Sequence, residues 1–327
     1  MKVNFLNVGQ GDSIILEWQE SKISKIGIID CCKNKGRNPV IEFLATKENF
    51  QISFVVLSHP HKDHFSGLIE LFNYVKENNI SIDFFFHTIS VHPRYLNWSA
   101  LDEEEASILE EIILTAIDFA DNLNIIKSIQ VGVENWSCEF DNKYKVILLS
   151  PSDKETRTYT SKIDYFKEDN KIACSSAANL LSTIFLIENS DNNKKLLLTS
   201  DAEILSFERL LESKKISILE HFQVPHHGSS KNHLPEFWNS IIYNEKTIAA
   251  ISAGENKSYN HPDIEVVKFF DLLGINIHCT NYINGYKNYF DNLNFKTVSL
   301  INTLDEVSEE VIDERSNETT YLNFTLS

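Results

Sequence analysis

The chain has 327 residues, of which 42% are hydrophobic and 24% charged, a balance typical of a globular protein with a substantial core. No apolar run approaches the roughly 20 residues that span a bilayer, so no association with a membrane is predicted. The formal net charge of −17, from 47 acidic and 30 basic residues, argues against a broad surface that contacts many phosphates.

Apolar patterning predicts strands and helices throughout the first half of the chain. The predicted strands are residues 2–8, 13–16, 25–29, 52–57 and 82–87, and the predicted helices are residues 40–47, 68–78 and 103–123. The last helix has an apolar stripe with a period of about 3.6 residues and an acidic start, which favours a packing role. Residues 88–100 lack such a pattern and are predicted to form an irregular loop.

The second half continues with strands, two helices and a charged, patternless stretch at residues 152–173 that is predicted to be a long loop. The predicted strands are residues 125–131, 145–149, 179–188, 195–199, 218–224, 248–253 and 275–279, and the helices are residues 202–213 and 263–273. The tail, residues 291–327, holds two more strand-like runs, residues 297–301 and 321–326, around an acidic segment.

The five cysteines are scattered, odd in number and without a C-x-x-C pair, so reduced thiols are expected. The amino terminus begins directly with a strand pattern and shows no signal-peptide pattern. Both observations predict a cytoplasmic protein.

The most informative stretch is LSHPHKDH at residues 57–64, which follows a predicted buried strand. It brings His59, His61, Asp63 and His64 into one short loop. Imidazole and carboxylate groups are natural ligands for Zn, Mn or Fe, whereas a solvated surface turn would not need this alternation. The loop therefore predicts a metal site. The remaining histidines without motif support are His87, His92, His221, His233 and His278.

The order H-x-H-x-D-H after a strand resembles the signature of the metallo-β-lactamase superfamily. FLNVGQGDS at residues 5–13 and VPHHGS at residues 224–229 resemble its ComEC-like branch, named for the hydrolase domain of the bacterial DNA-uptake channel. The resemblance implies an α+β fold, the four-layer αββα metallo-β-lactamase sandwich of two mixed β-sheets. One hydrolase domain is then expected at residues 1–290, with an insertion at about 88–124 and the loop 152–173. The extension 291–327, with its two short strands, would pack on the same domain.

This resemblance also implies two divalent metal ions, Zn or Mn. His59 and His61 would hold one ion, Asp63 and His64 would hold the other, and Asp201, at the end of a predicted strand, would bridge them. The two ions would hold a bridging hydroxide and clamp the oxygens of an in-line displacement.

Three further positions bear on the metal site. One of His226 and His227 would complete the ligands of the second ion. The sequence leaves open which of them does so, because adjacent side chains at a strand end point to opposite faces. Asn179 stands near the place where the superfamily usually has another histidine, and an amide oxygen ligand would favour the harder Mn²⁺. Asp30 ends a strand and would orient a metal-binding histidine through its carboxylate.

The candidate catalytic residues are Asp63 and His261, the latter in YNHP at residues 259–262, which resembles the family's G-H-P segment. A histidine there could protonate the leaving oxygen or stabilise its developing charge. The resemblance places four more residues near the substrate: Gln10, Asp12, Ser229 and Asn260.

The resulting hypothesis is a metal-dependent phosphodiesterase, most simply a nuclease, whose partner is nucleic acid or another phosphodiester. The acidic composition keeps open a small-molecule hydrolase that acts on a lactone, a thioester or a small phosphodiester. A third alternative is a subunit of a larger complex, such as a defence complex, with a decayed site. A protein partner or a homo-oligomer could supply the missing positive charge.

Overall fold

A computed structural model describes residues 1–89, 102–132, 134–163, 171–256, 259–281 and 321–326. Its strands form two sheets of seven strands each. The first sheet has the order β14-β1-β2-β3-β4-β5-β6. Its strands are β1 (Lys2–Leu6), β2 (Ile14–Glu20), β3 (Ile23–Ile29), β4 (Phe50–Leu57), β5 (Ile82–His87), β6 (Ile126–Val131) and β14 (Tyr321–Thr325). The pairs from β3 to β6 are parallel, and the pairs that join β14, β1, β2 and β3 are antiparallel.

The second sheet has the order β13-β12-β11-β10-β9-β8-β7. Its strands are β7 (Ser137–Phe140), β8 (Tyr144–Ser150), β9 (Ile184–Asn189), β10 (Lys195–Leu198), β11 (His221–Gln223), β12 (Ile248–Ile251) and β13 (Asn276–Cys279). It is also mixed, because β10 to β13 pair in parallel whereas β7 to β10 pair antiparallel.

The helices are α1 (Pro39–Ala45), α2 (Lys62–Phe65), α3 (Leu68–Glu77), α4 (Glu103–Asp121), α5 (Asp153–Thr160), α6 (Lys171–Ala177), α7 (Ile204–Ser213), α8 (Pro235–Asn239) and α9 (Ile264–Leu272). Among the described residues, no helix is both long enough and apolar enough to cross a membrane.

Three apolar clusters establish the layers. One cluster joins one face of the first sheet to α1, α3 and α4, and another joins one face of the second sheet to α7, α8 and α9. The third lies between the sheets, where alternate residues such as Phe54 and Val56 of β4 meet Phe185 and Ile187 of β9. Side chains that alternate along a strand thus pack into two different cores, one on each face of the sheet, as expected for strands buried on both faces. The predicted αββα sandwich of two mixed sheets is confirmed.

Two sequence predictions differ from the structure. The stretch 152–173 is not a long loop in its described part, because it contains α5 and the start of α6. A capping box explains α5: Ser152 and Glu155 satisfy each other's backbone donors at the first turn. Strand β7 was not predicted, and the edge position of this four-residue strand explains its weak pattern. The predicted strand 297–301, the loop 88–100 beyond residue 89, and His92 lie outside the described residues.

The tail contributes β14, which pairs antiparallel with β1 as Val3 meets Phe324. The extension therefore packs on the same sheet in its described part, 321–326. Parallel strands β3 and β4 of one sheet, and β10, β11 and β12 of the other, bring their carboxyl ends to one edge of the sandwich. Loops that follow parallel strands are where α/β-type sheets usually carry a site.

Candidate metal site

The histidine loop begins where β4 ends and closes into α2. His64 N–H donates to the carbonyl of His61 at 2.9 Å, and the His64 carbonyl accepts from Cys31 N–H at 2.8 Å. The first bond makes the turn, and the second ties the turn to the chain that follows β3. The loop is thus held by backbone bonds, which leaves its imidazoles available for the site.

Asp201, at the carboxyl end of β10, lies at the centre of the histidines. Its Oδ2 lies 3.7 Å from His59 Nε2, 3.6 Å from His64 Nε2 and 3.5 Å from His226 Nε2. Its Oδ1 lies 3.6 Å from His227 Nε2. The predicted bridging position of this carboxylate is therefore geometrically available, because its two oxygens face different imidazoles.

His226 and His227 occupy different sides of the site. His227 Nε2 lies 3.5 Å from Asp63 Oδ2, and its Nδ1 donates to the Ser252 carbonyl at 2.8 Å. His226 Nδ1 instead pairs with Asn232 Oδ1 at 2.9 Å, so its Nε2 points towards the centre of the site. Both residues have positive φ, 48° and 55°, and this turn is what aims two adjacent side chains at one centre. Of the two, only His227 lies beside Asp63.

Several ligand atoms are buried without any hydrogen-bond partner, although such atoms are normally satisfied. The unsatisfied atoms of the site are His64 Nε2, His227 Nε2, Asp201 Oδ1, Asp12 Oδ1 and Asn179 Oδ1. Four sets of three side chains place ligand atoms within 4.8 Å of one another: His59, His64 and Asp201; Asp63, His64 and His227; Asp12, Asp30 and His64; and Asp12, Asp201 and His227. Imidazole nitrogens and carboxylate oxygens facing each other without partners fit a divalent cation.

His59 and His61 are held by contacts outside the cluster. His61 Nε2 donates to the carbonyl of Ser175 at 2.9 Å, which turns its Nδ1 to within 3.1 Å of His59 Nε2. His59 Nδ1 contacts the hydroxyls of Ser58 at 3.1 Å and Ser200 at 3.3 Å. One nitrogen of each ring is thus occupied by the protein and the other faces the site, as in metal-binding histidines.

Asp30 accepts hydrogen bonds from two residues of the histidine loop. Its Oδ1 accepts from Ser58 N–H at 2.8 Å, and its Oδ2 accepts from the Ser58 hydroxyl at 2.6 Å and from His64 Nδ1 at 2.7 Å. The carboxylate is fully buried, so these three hydrogen bonds replace the ones that water would make to it. Asp30 therefore fixes the ring orientation of His64.

Asp12 and Ser229, two of the residues predicted to lie near the substrate, are buried, with 1% and 2% of their surface exposed. Asp12 Oδ2 instead accepts from Gln223 Nε2 at 2.7 Å, and Gln223 Oε1 accepts from the N–H groups of Thr199 and Ser200 at 3.0 and 2.9 Å. This buried amide joins the turn after β1 to the strand ends of the second sheet. Asp12 acts here as a structural link beside the ligands.

Gln10 lies on a turn that approaches the site closely. A Cβ on Gly11 would lie 2.4 Å from the Asp63 carbonyl oxygen, and a Cβ on Gly254 would lie 2.0 Å from the Gly9 backbone. Only glycine permits these approaches. Gln10 is half-buried, and its Oε1 accepts from Gly254 N–H at 3.4 Å, so it borders the site from the first sheet.

Asn179 lies in a 3-10 turn, residues Ala178–Leu181, and not in the strand predicted at 179–188, which begins at Ile184. Its Nδ2 lies 3.4 Å from His226 Nδ1, and its buried Oδ1 is unsatisfied. The structure thus brings Asn179 beside the site through His226.

His261 and Asn260 lie at the rim. The His261 ring is 5.7 Å from the ring of His226, and His261 Nδ1 lies 4.0 Å from Asp263 Oδ2. Asn260 is exposed. Burial, followed by the nearby His226, lowers the pKa of His261 below 6.5. Its imidazole is therefore largely neutral at neutral pH.

The charged groups of the cluster strongly shift one another's pKa values. Burial opposes ionisation of Asp201, but His226, His227 and His64 hold its pKa well below the usual 3.8. Burial likewise opposes protonation of His227, but Asp201 and Asp63 raise its pKa to about 9. The carboxylates thus create a strongly negative centre that protons or metal cations can neutralise.

Sequence reasoning missed the residues that hold the ligands: Ser58, Ser175, Ser200, Gln223, Asn232 and Ser252. Gln223 alone carried a signal, because it stands between the apolar Phe222 and Val224 at the start of the VPHHGS motif. The serine hydroxyls and carbonyl groups had none, since their role depends on contacts between the two sheets.

No protein-family model matches the chain, and the search of curated proteins gives no match. Solved structures do resemble it. The metallo-β-lactamase fold protein YhfI from Bacillus subtilis has 10% identity and a TM-score of 0.44, over 86% of this chain and 98% of its own. Yeast PDE1 has 9% identity and a TM-score of 0.45, over 85% and 97%. A long form RNase Z from yeast has 14% identity and a TM-score of 0.39, over 78% and 37%.

These similarities concern overall shape at very low identity. The assignment of ligands rests instead on the distances and unsatisfied atoms described above. Membership of the ComEC-like branch stays a prediction from the sequence motifs.

Proposed function

We propose that this chain is a metal-dependent phosphodiesterase that acts as a nuclease. The observation that carries the metal dependence is the group of buried His and Asp atoms that face one another without hydrogen-bond partners. The phosphodiester substrate is supported by the sequence motifs that resemble the ComEC-like branch. Bound divalent ions would supply a nucleophilic water at neutral pH and stabilise charge on both oxygens of an in-line displacement.

We divide the residues between two ions. His59, His61 and Asp201 would hold the first ion, since His59 Nε2 lies 3.7 Å from Asp201 Oδ2 and 3.1 Å from His61 Nδ1. His64, Asp63 and His227 would hold the second. We choose His227 over His226 for the second ion, because its Nε2 lies beside both Asp63 and Asp201 Oδ1.

His226 and Asn179 would border the first ion. His226 Nε2 lies near the same oxygen of Asp201 as His59, and Asn179 contacts the far side of its ring. With an amide where a third histidine would otherwise stand, this site offers a harder ligand set, which favours Mn²⁺ as well as Zn²⁺.

His261 would act on the substrate from the rim. Because its ring is largely neutral at neutral pH, hydrogen-bond donation to the departing oxygen suits it better than delivery of a full proton. Nearby divalent ions would lower its pKa further, since like charges disfavour the imidazolium. Asp63, whose side chain is 37% exposed, would also position the attacking water.

A hydrolase of small molecules is the second candidate, and the net charge of −17 is the observation that favours it. An acidic surface repels polyphosphate chains but not a neutral lactone or thioester. The presence of every ligand type at the site counts against a decayed subunit.

A substrate panel separates these functions. Purified protein loaded with Mn²⁺ or Zn²⁺ is assayed on single- and double-stranded DNA, RNA, bis-p-nitrophenyl phosphate, a lactone and a thioester, with Asp201→Asn as the control. Cleavage of nucleic acid that Asp201→Asn abolishes is the expected result. Activity confined to the lactone or thioester would refute the nuclease function and support the small-molecule hydrolase.

A further inference from the structure

Tyr259 lies at the rim of the site with 57% of its surface exposed. Its ring is nearly parallel to that of His261, at an interplanar angle of 8° and a centroid distance of 5.7 Å. The His261 ring is in turn 5.7 Å from that of His226, whose Nε2 lies 3.5 Å from Asp201. Three aromatic rings therefore form a row from the exposed rim to the buried carboxylate.

We propose that Tyr259 is a stacking platform for the nucleobase adjacent to the scissile phosphate. The proposal rests on the nuclease function and narrows its substrate to strands with unpaired bases. An offset, parallel arrangement is the preferred geometry of stacked aromatic rings, so the contact with His261 holds the tyrosine ring in a defined plane. A flat, exposed ring in a fixed orientation beside a phosphodiester site is the element that single-strand binding proteins use.

The charge of the protein makes this contact more important. With 47 acidic and 30 basic residues, the chain cannot gain much affinity from phosphate contacts. Base stacking does not depend on opposite charge, and it tolerates any base sequence because every base has an aromatic face. We therefore expect weak binding with a shallow salt dependence. Stacking on Tyr259 should make a strand with bases bind more tightly than a strand without them.

A purely structural role for Tyr259 makes a different prediction. If the ring only kept His261 in place, its removal would affect every substrate equally, whether or not a base is present. A platform instead discriminates between a strand with bases and the same sugar-phosphate strand without them. Because most of its surface is exposed, replacement of Tyr259 leaves no buried cavity.

The test measures binding rather than cleavage. Fluorescently labelled oligothymidylate and a matched abasic oligonucleotide are titrated with the full-length protein in EDTA, so that no strand is cut. We expect wild-type protein and Tyr259→Phe to bind oligothymidylate about 5- to 30-fold more tightly than the abasic strand, and Tyr259→Ala to lose this preference.

Equal binding of both strands by wild-type protein, or an unchanged preference in Tyr259→Ala, would overturn the proposal. The outcome is independent of hydrolysis. A base preference that depends on Tyr259, in a protein that cleaves no phosphodiester in the substrate panel, would refute the nuclease function while leaving the stacking site in place.

Discussion

Asp30 Oδ2 lies 2.7 Å from Nδ1 of His64, and both side chains are fully buried. The carboxylate thereby fixes the ring so that Nε2, which has no hydrogen-bond partner, faces Asp63 and Asp201. A carboxylate behind a ligand histidine orients the ring and raises its basicity. The metal site thus depends on a residue that would not contact the metal.

We predict that Asp30→Ala lowers metal affinity about 10- to 100-fold, because His64 loses its orienting partner. The substitution also leaves the buried Ser58 N–H without an acceptor, so the free energy of unfolding should fall by about 2–4 kcal/mol. Competition with a chromogenic chelator measures the first effect, and urea denaturation of metal-free protein measures the second. Unchanged metal affinity in a folded variant would contradict the orienting role.

Metal content provides the most direct test of the ligand set. Wild-type protein should bind about two equivalents of Mn²⁺ or Zn²⁺, and His59→Ala or Asp201→Ala should reduce this content. His278→Ala, on the edge strand β13, is the matched histidine control and should keep it. Elemental analysis after dialysis measures the content. Wild-type protein that holds no metal after addition of either ion would refute the site.

The two adjacent histidines should behave differently. His227→Ala is expected to lose about one metal equivalent, because its Nε2 faces both Asp63 and Asp201. His226→Ala should retain both ions, since His59 and Asp201 remain on the first side, and should lose activity instead. Elemental analysis and the nuclease assay, applied to both variants, distinguish the two roles. The opposite pattern of metal loss would reverse our assignment.

Gln223 should be important for stability, because it joins buried polar groups of the two sheets. Gln223→Leu removes the acceptor of two buried N–H groups and the donor to Asp12, so we expect the free energy of unfolding to fall by about 2–4 kcal/mol. Gln223→Glu keeps the shape and the acceptor but loses the donor, which places two carboxylates together. Urea denaturation should therefore find Gln223→Glu destabilised at neutral pH and partly recovered in acid. Wild-type stability in Gln223→Leu would contradict this link.

His233 should make stability depend on pH. Burial lowers the pKa of His233 from 6.5 to about 4, and its ring packs against Phe269 and Phe270. Between these two pH values only the unfolded state binds the proton, so this residue makes the free energy of unfolding fall as the pH decreases from 6.5 towards 4. In His233→Leu, this decrease in the free energy of unfolding should be about 1–2 kcal/mol smaller than in the wild-type protein. Urea denaturation of both proteins at pH 7 and at pH 4.5 measures the decrease. An equal decrease in the two proteins would contradict the prediction.

The sequence by itself determined most of the strands and the positions of the histidine-rich loops, and the family resemblance predicted the sandwich of two sheets. Strand β4 illustrates the reason, because a run of apolar residues that ends in a polar, ligand-rich loop carries both signals locally. Short or edge elements were harder to predict. Strand β7 has only four residues and helix α5 forms in charged sequence, so pairing with a neighbour and capping outweigh their weak apolar patterns.

Only the tertiary structure decided how the ligands are held and which of them meet. Asp30 and His64 lie far apart in sequence, and Gln223 reaches Asp12 in the opposite sheet, so neither contact leaves a local pattern. The left-handed turn at His226 and His227 likewise decides which ring faces Asp63. Such assignments depend on atoms that converge across the sandwich, and a linear pattern of residue types contains no distances between them.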